Sequence, residues 1–146
     1  MNCKPIVMER YYTIHTSFVV DFQFTNNITI LIGNSGTGKT ASYSFLLESR
    51  TEDDRIVCLN HTDIKSDIKS IIESLEGKLI VIDNADILLD HSTRRYISFD
   101  SRNQYLIIGR DVRDFLTTEE NLFELEAVTR DERTTFYLKR FFGKEG

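Results

Sequence analysis

The stretch ITILIGNSGTGKTASYSFLLESR, Ile28 to Arg50, decides how the rest of the chain is read. Residues 28–32 are almost all β-branched or leucine, the composition of a strand buried on both faces. Gly38 to Arg50 then carries Ala41, Phe45 and Leu46 at the three- and four-residue spacing of a helix. Between them GNSGTGKT, Gly33 to Thr40, satisfies G-x-x-x-x-G-K-[ST] at every fixed position. Chemistry explains that spacing. Glycines let the backbone wrap a phosphate so that several N–H groups point inward. The helix that follows turns its free N-terminal amides and positive dipole end toward the same anion. The expected nucleotide-binding segment is therefore Gly33, Asn34, Ser35, Gly36, Thr37, Gly38, Lys39, Thr40 and Ala41. Within it Lys39 reaches the β- and γ-phosphates, which makes it a catalytic candidate, and the Thr40 hydroxyl is a ligand for Mg²⁺.

Three more apolar runs follow: IVCL at 56–59, LIVI at 79–82 and YLII at 105–108. Helical patterns fill the gaps. Ile64, Ile68, Ile71, Ile72 and Leu75 recur at helical spacing after a Thr62/Asp63 N-cap, and a shorter helix is predicted across Leu88 to Phe99. Alternating strand and helix predicts an α/β fold with a mainly parallel sheet between helical layers. The two ends of the chain differ. Tyr12 and Ile14, then Phe18, Val20, Phe22 and Phe24, alternate as an N-terminal hairpin would. LFELEAVTRDERTTFYLKRFF alternates around RDER and predicts a closing C-terminal hairpin. Both hairpins are expected as antiparallel additions at the edges of the sheet.

Bulk properties restrict the function classes. A chain of 146 residues with 40% apolar content suits a single domain over 1–146. A net charge of -5 argues against coating nucleic acid by bulk electrostatics. Two cysteines cannot make a disulfide framework, and Cys58 inside IVCL reads as a buried, reduced thiol. No 18-residue apolar stretch exists, and MNCKPIVMERYY lacks the core of a signal peptide. A soluble cytoplasmic protein with no membrane partner is expected.

KLIVIDNAD, Lys78 to Asp86, ends an apolar strand on Asp83, where a carboxylate can hold Mg²⁺ through water beside bound phosphates. Together Gly33–Thr40 and Asp83 resemble the Walker A and Walker B motifs of a P-loop NTPase. One strand–helix unit, Arg55 to Glu76, separates the motifs, which is similar to the branch holding the AAA, ABC and RecA-like ATPases. The hairpin leading into ITILIGNSGTGKT also resembles the lead-in of ABC- and SMC-type heads. The resemblance spans roughly residues 10 to 110 and is specific only at the two motifs. It implies a three-layer P-loop NTPase core, ATP as ligand, Mg²⁺ as cofactor with Thr40 and Asp83 as its ligands, and a protein partner or self-association to complete the site.

Departures from the family pattern matter as much. Such ATPases carry a glutamate after the Walker B aspartate; here Asn84 stands there, able to orient water but unable to take its proton. Asp86 is a substitute base or, equally, a helix cap. Arg110, after YLII, falls where the family senses the γ-phosphate, with Arg113 three residues on; the alternative for Arg110 is a solvated arginine. Arg94 and Arg95 read as surface or partner-contact residues, and the three histidines lack metal-ligand spacing. No LSGGQ, D-x-x-G or N-K-x-D motif is present, so adenine is favoured by default and GTP stays open. Three functions fit: a Mg²⁺-dependent ATPase weakened by Asn84, a small P-loop kinase passing on the γ-phosphoryl group, and a non-hydrolysing, nucleotide-gated binding module.

Overall fold

The computed structural model describes residues 4–32, 39–60, 63, 65–110, 115 and 119–141. Eight strands form one sheet: β1 (Arg10–His15), β2 (Phe18–Gln23), β3 (Ile28–Leu31), β4 (Ile56–Leu59), β5 (Leu79–Ile82), β6 (Gln104–Ile108), β7 (Leu122–Arg130) and β8 (Arg133–Arg140). Their order across the sheet is β1-β2-β8-β7-β3-β6-β5-β4. Among the described residues four α-helices accompany them: α1 (Lys39–Ser49), α2 (Ile68–Glu73), α3 (Ala85–Leu88) and α4 (His91–Phe99).

The short central strands form where the apolar runs predict them, because each is buried along its whole length or nearly so. Alternation then divides their side chains between two cores. Leu31, Val81, Leu106 and Ile108 pack with Tyr43 and Leu46 of α1. Ile30, Ile80, Ile82 and Ile107 pack with Ile68 and Ile72 of α2, Leu88 of α3 and Ile97 of α4.

The expected three-layer, mainly parallel P-loop core is nevertheless wrong for this chain. The sheet is mixed and curls into a half-barrel, strands predominate, and the helices are few and short. At the usual rise of about 1.5 Å per residue, six-residue α2 and four-residue α3 reach only about 9 and 6 Å, too little to roof a curled sheet. The N-terminal hairpin does lie at an edge, with β1 outermost and antiparallel to β2, but the C-terminal hairpin is no edge addition. β7 and β8 pair antiparallel along their length, but β8 also lies parallel to β2, and β7 parallel to β3. The C-terminal hairpin is thus built into the middle, joining β1–β2 to the central strands. Its tight turn places Asp131 and Glu132 at φ 52° and 64°, the left-handed pair that matches the twist of the flanking strands.

Two helix starts also move. α2 is capped by Asp67, whose side chain accepts the Ser70 backbone N–H, so it begins after Asp63; Thr62 and Ile64 lie outside the described residues. The helix predicted across 88–99 is α4, which starts only at His91 behind its Asp90 cap, while Leu88 ends the separate α3. Among the described residues no helix is long and apolar enough to cross a membrane.

Candidate functional site

β3, β4, β5 and β6 run parallel, so their carboxyl ends share one rim. The chain leaves β3 at Leu31 toward residues 33–38 and returns as α1 from Lys39. Gly33, Asn34, Ser35, Gly36, Thr37 and Gly38 lie outside the described residues, as do the side chains of Lys39 and Thr40. Ala41 is half-buried in the first turn of α1. Asp83 follows β5 on the same rim, one strand removed from β3, because β6 lies between them.

Backbone bonds fix this rim. Asp83 N–H donates to Leu59 O at 2.9 Å, Gly109 N–H to Leu31 O at 3.2 Å, and Ile32 N–H to Phe123 O at 2.8 Å. The half-buried Asp83 carboxylate accepts the Asn84 N–H on Oδ1 at 3.0 Å, which orients it. Asn84 is exposed at φ 56° and ψ 44°, and its side chain caps nothing. That left-handed turn suits asparagine far better than glutamate, so the missing glutamate has a backbone cause.

Asp86 does not cap α3, whose N-cap is Asn84. Both its oxygens accept the Arg110 backbone N–H, at 3.0 and 3.1 Å. Arg110 is exposed; Asp111 and Arg113 lie outside the described residues. Arg94 corrects the surface reading. It is buried, with Nε donating to Leu89 O at 3.0 Å and the guanidinium 5.4 Å above the Phe115 ring. Arg95 is exposed. His15 stacks on Phe45 with ring centres 4.5 Å apart, a packing role.

The sequence reading missed a group of hydroxyls. Among the described residues Thr29 Oγ1, Ser42 Oγ and Tyr43 Oη are buried without a hydrogen-bond partner, and all three lie on β3 or α1, the elements flanking 33–38. Burial pushes the Tyr43 phenol up to about 12, and Cys58 and Asp83 act in the same direction. Asn60 opposes them from nearby, without a hydrogen bond of acceptable geometry. Burial likewise pushes the Cys58 thiol up to about 11, so it stays protonated at neutral pH. Tyr43 was open to discovery, since it falls one helical turn after Lys39.

The donors present suit Mg²⁺, a hard cation that takes one or two carboxylates and fills its shell with water and phosphate oxygen. Asp83 offers such a carboxylate. Among the described residues no cluster of three or more His, Cys, Asp or Glu stands ready to hold a metal unaided. No protein-family model matches the chain, and neither a curated protein nor a solved structure matches it.

Proposed function

We propose that this chain binds Mg²⁺-ATP at residues 33–41 and acts as a P-loop ATPase whose turnover depends on a partner or on self-association. The observation that carries the reading is GNSGTGKT between β3 and α1, on the rim where β5 ends in Asp83. The reading stands on these motifs and that rim, and needs no three-layer architecture. Backbone N–H groups of 33–38 and the first turn of α1 bind the phosphates, and Lys39 balances the charge of the β- and γ-groups. Thr40 and Asp83 would hold Mg²⁺, which when bound neutralises charge on the phosphate oxygens. Asn84 positions water but cannot deprotonate it. Arg110 meets the terminal phosphate. Adenine is the default base, since no guanine-reading motif occurs.

A second reading, the nucleotide-gated module, is favoured by one specific feature: the Asp86 oxygens are taken by the Arg110 N–H. Titrating the protein with Mg²⁺-ATP, Mg²⁺-GTP and ADP, beside Lys39→Ala, tests binding. Equal affinity in wild type and variant would sink the proposal. Measuring ADP and free phosphate, with and without partners, then separates the functions. Matched release lost in Lys39→Ala means an ATPase, ADP without matching phosphate means a kinase, and binding without turnover means the module.

A further inference from the structure

We infer that Asp86 is a positioning residue for Arg110 and that Gly109 is glycine to make room for it; this rests on the nucleotide reading above. The Asp86 carboxylate receives the Arg110 backbone N–H on both oxygens, at 3.0 and 3.1 Å. One N–H shared between two charged oxygens fixes the peptide plane it belongs to. The bond joins positions 24 residues apart, the segment after β5 and the segment after β6.

The space around Gly109 shows what the contact requires. A Cβ built there would lie 2.7 Å from Asp86 Oδ1 and 3.4 Å from the Ala85 Cβ. Any side chain at 109 therefore forces Asp86 Oδ1 to shift from its place against the Arg110 N–H. The neighbouring Gly109 N–H donates to Leu31 O, the last residue of the strand that leads into 33–38. One run of contacts thus ties the ends of β3, β6 and β5 together: Leu31 to Gly109, Arg110 to Asp86, and through the short α3 segment to Asp83. A proton acceptor needs an oxygen facing the attacking water. A brace needs both oxygens on a fixed donor. Asp86 is built as the brace, and its work is to set the direction from which Arg110 meets the terminal phosphate.

The readout is the preference for ATP over ADP, since Arg110 distinguishes the two only through the γ-phosphate. Binding of each nucleotide with Mg²⁺ is measured by calorimetry for wild type, Asp86→Ala, Asp86→Asn, Gly109→Ala, Arg110→Ala and the double variant Asp86→Ala/Arg110→Ala. A hydrogen bond to a charged acceptor, converted to affinity, corresponds to roughly a tenfold or greater effect. Asp86→Ala and Gly109→Ala should each lose about that much preference, although Gly109→Ala keeps the carboxylate. Asp86→Asn still accepts the N–H on its amide oxygen and should stay within about threefold of wild type. The double variant should lose no more than Arg110→Ala alone, as expected for two residues acting as one unit. A catalytic base would behave otherwise: Asp86→Asn would abolish turnover while Asp86→Ala and Gly109→Ala kept wild-type preference, and that pattern overturns the inference. Should Asp86→Ala fail to fold, Asp86→Asn against Gly109→Ala decides the matter. If wild type shows no Lys39-dependent binding, the nucleotide reading itself falls; if it does and Gly109→Ala keeps full preference, only the role of Asp86 falls.

Discussion

Thr29→Val removes one oxygen from the centre of the sheet, and the structure says that the protein should become more stable. Thr29 lies in β3 opposite Leu106, is wholly shielded from solvent, and its Oγ1 has no hydrogen-bond partner among the described residues. In the unfolded chain that hydroxyl bonds to water, and in the folded protein no described residue replaces that bond. Mutational data put the cost of such burial at about 1–3 kcal/mol. Valine has nearly the same shape and the same stiff, strand-favouring χ1, so the swap removes the penalty without opening a cavity. Taking the low end, a gain of about 1 kcal/mol corresponds to a rise of about 2–4 °C in Tm for a domain of this size. Urea unfolding followed by circular dichroism gives the answer directly. The midpoint should rise with an unchanged slope, which identifies a change in stability rather than in the surface exposed. A lower midpoint would refute the reasoning and show that the Thr29 hydroxyl is in use.

Other expectations test separate parts of the fold. Asp90→Ala removes the N-cap of α4, where the carboxylate accepts Thr93 N–H at 2.8 Å, and should cost about 1 kcal/mol, with Asp90→Ser recovering most of it. The Thr93 N–H holds the Asp90 carboxyl below its usual pKa, and hydrogen bonds from Ser70, Arg55 and Arg10 do the same for Asp67, Asp53 and Asp21. A lowered folded-state pKa adds stability that is present above the unfolded value and lost as pH falls through the folded one. Tm should therefore hold level above about pH 5 and drop below about pH 4, with a shallower drop in Asp90→Asn; an unchanged acid limb would count against the cap. Arg94→Met strands Leu89 O and forfeits the Phe115 contact, for a loss of about 2 kcal/mol by urea unfolding, whereas exposed Arg95→Ala should stay within about 0.5 kcal/mol. Asn84→Glu puts a longer residue at φ 56° and should lower stability by about 1 kcal/mol; a neutral result would deny the backbone cause of Asn84.

The central strands were legible because burial on both faces writes itself as unbroken apolar runs, as at 79–82 and 105–108. Neighbour relations were not. Nothing local in LFELEAVTR says that β7 will lie parallel to β3, since that pairing is only two residues long, Ile30↔Leu122 and Leu31↔Phe123. The three-layer expectation failed for a related reason: periodicity at 64–75 marks a helical face but not its length, and Asp67 caps a helix of only six residues. At the rim the sequence supplied residue types without their engagements. DNAD offered two candidate water-handling residues, yet the left-handed turn at Asn84 and the bond from Arg110 to Asp86 depend on how β5 and β6 end beside each other. Arg94 was misread because RR on an amphipathic helix looks solvated, while one of the pair turns inward beneath α3.

These engagements predict a phenotype for the isolated chain. The proposed site grips phosphate and balances its charge, but the two residues placed to activate water are poorly suited to take its proton. Asn84 cannot accept a proton, and the Asp86 oxygens hold a backbone N–H. A general base contributes about 10²–10⁴-fold to such a reaction. Set against a typical kcat of about 10 s⁻¹, turnover without it should fall to about 10⁻¹–10⁻³ s⁻¹. Single-turnover measurement with excess protein over radiolabelled ATP reaches that range without a partner. Nucleotide should bind quickly and in a Lys39-dependent manner, with ADP appearing over seconds to many minutes. A partner that supplies a base or an arginine should then raise the rate without tightening ATP binding to match. Lys39-dependent turnover near 10 s⁻¹ by the chain alone would overturn this argument. It would mean that Asp86 takes the proton despite its bond to Arg110, or that another residue does.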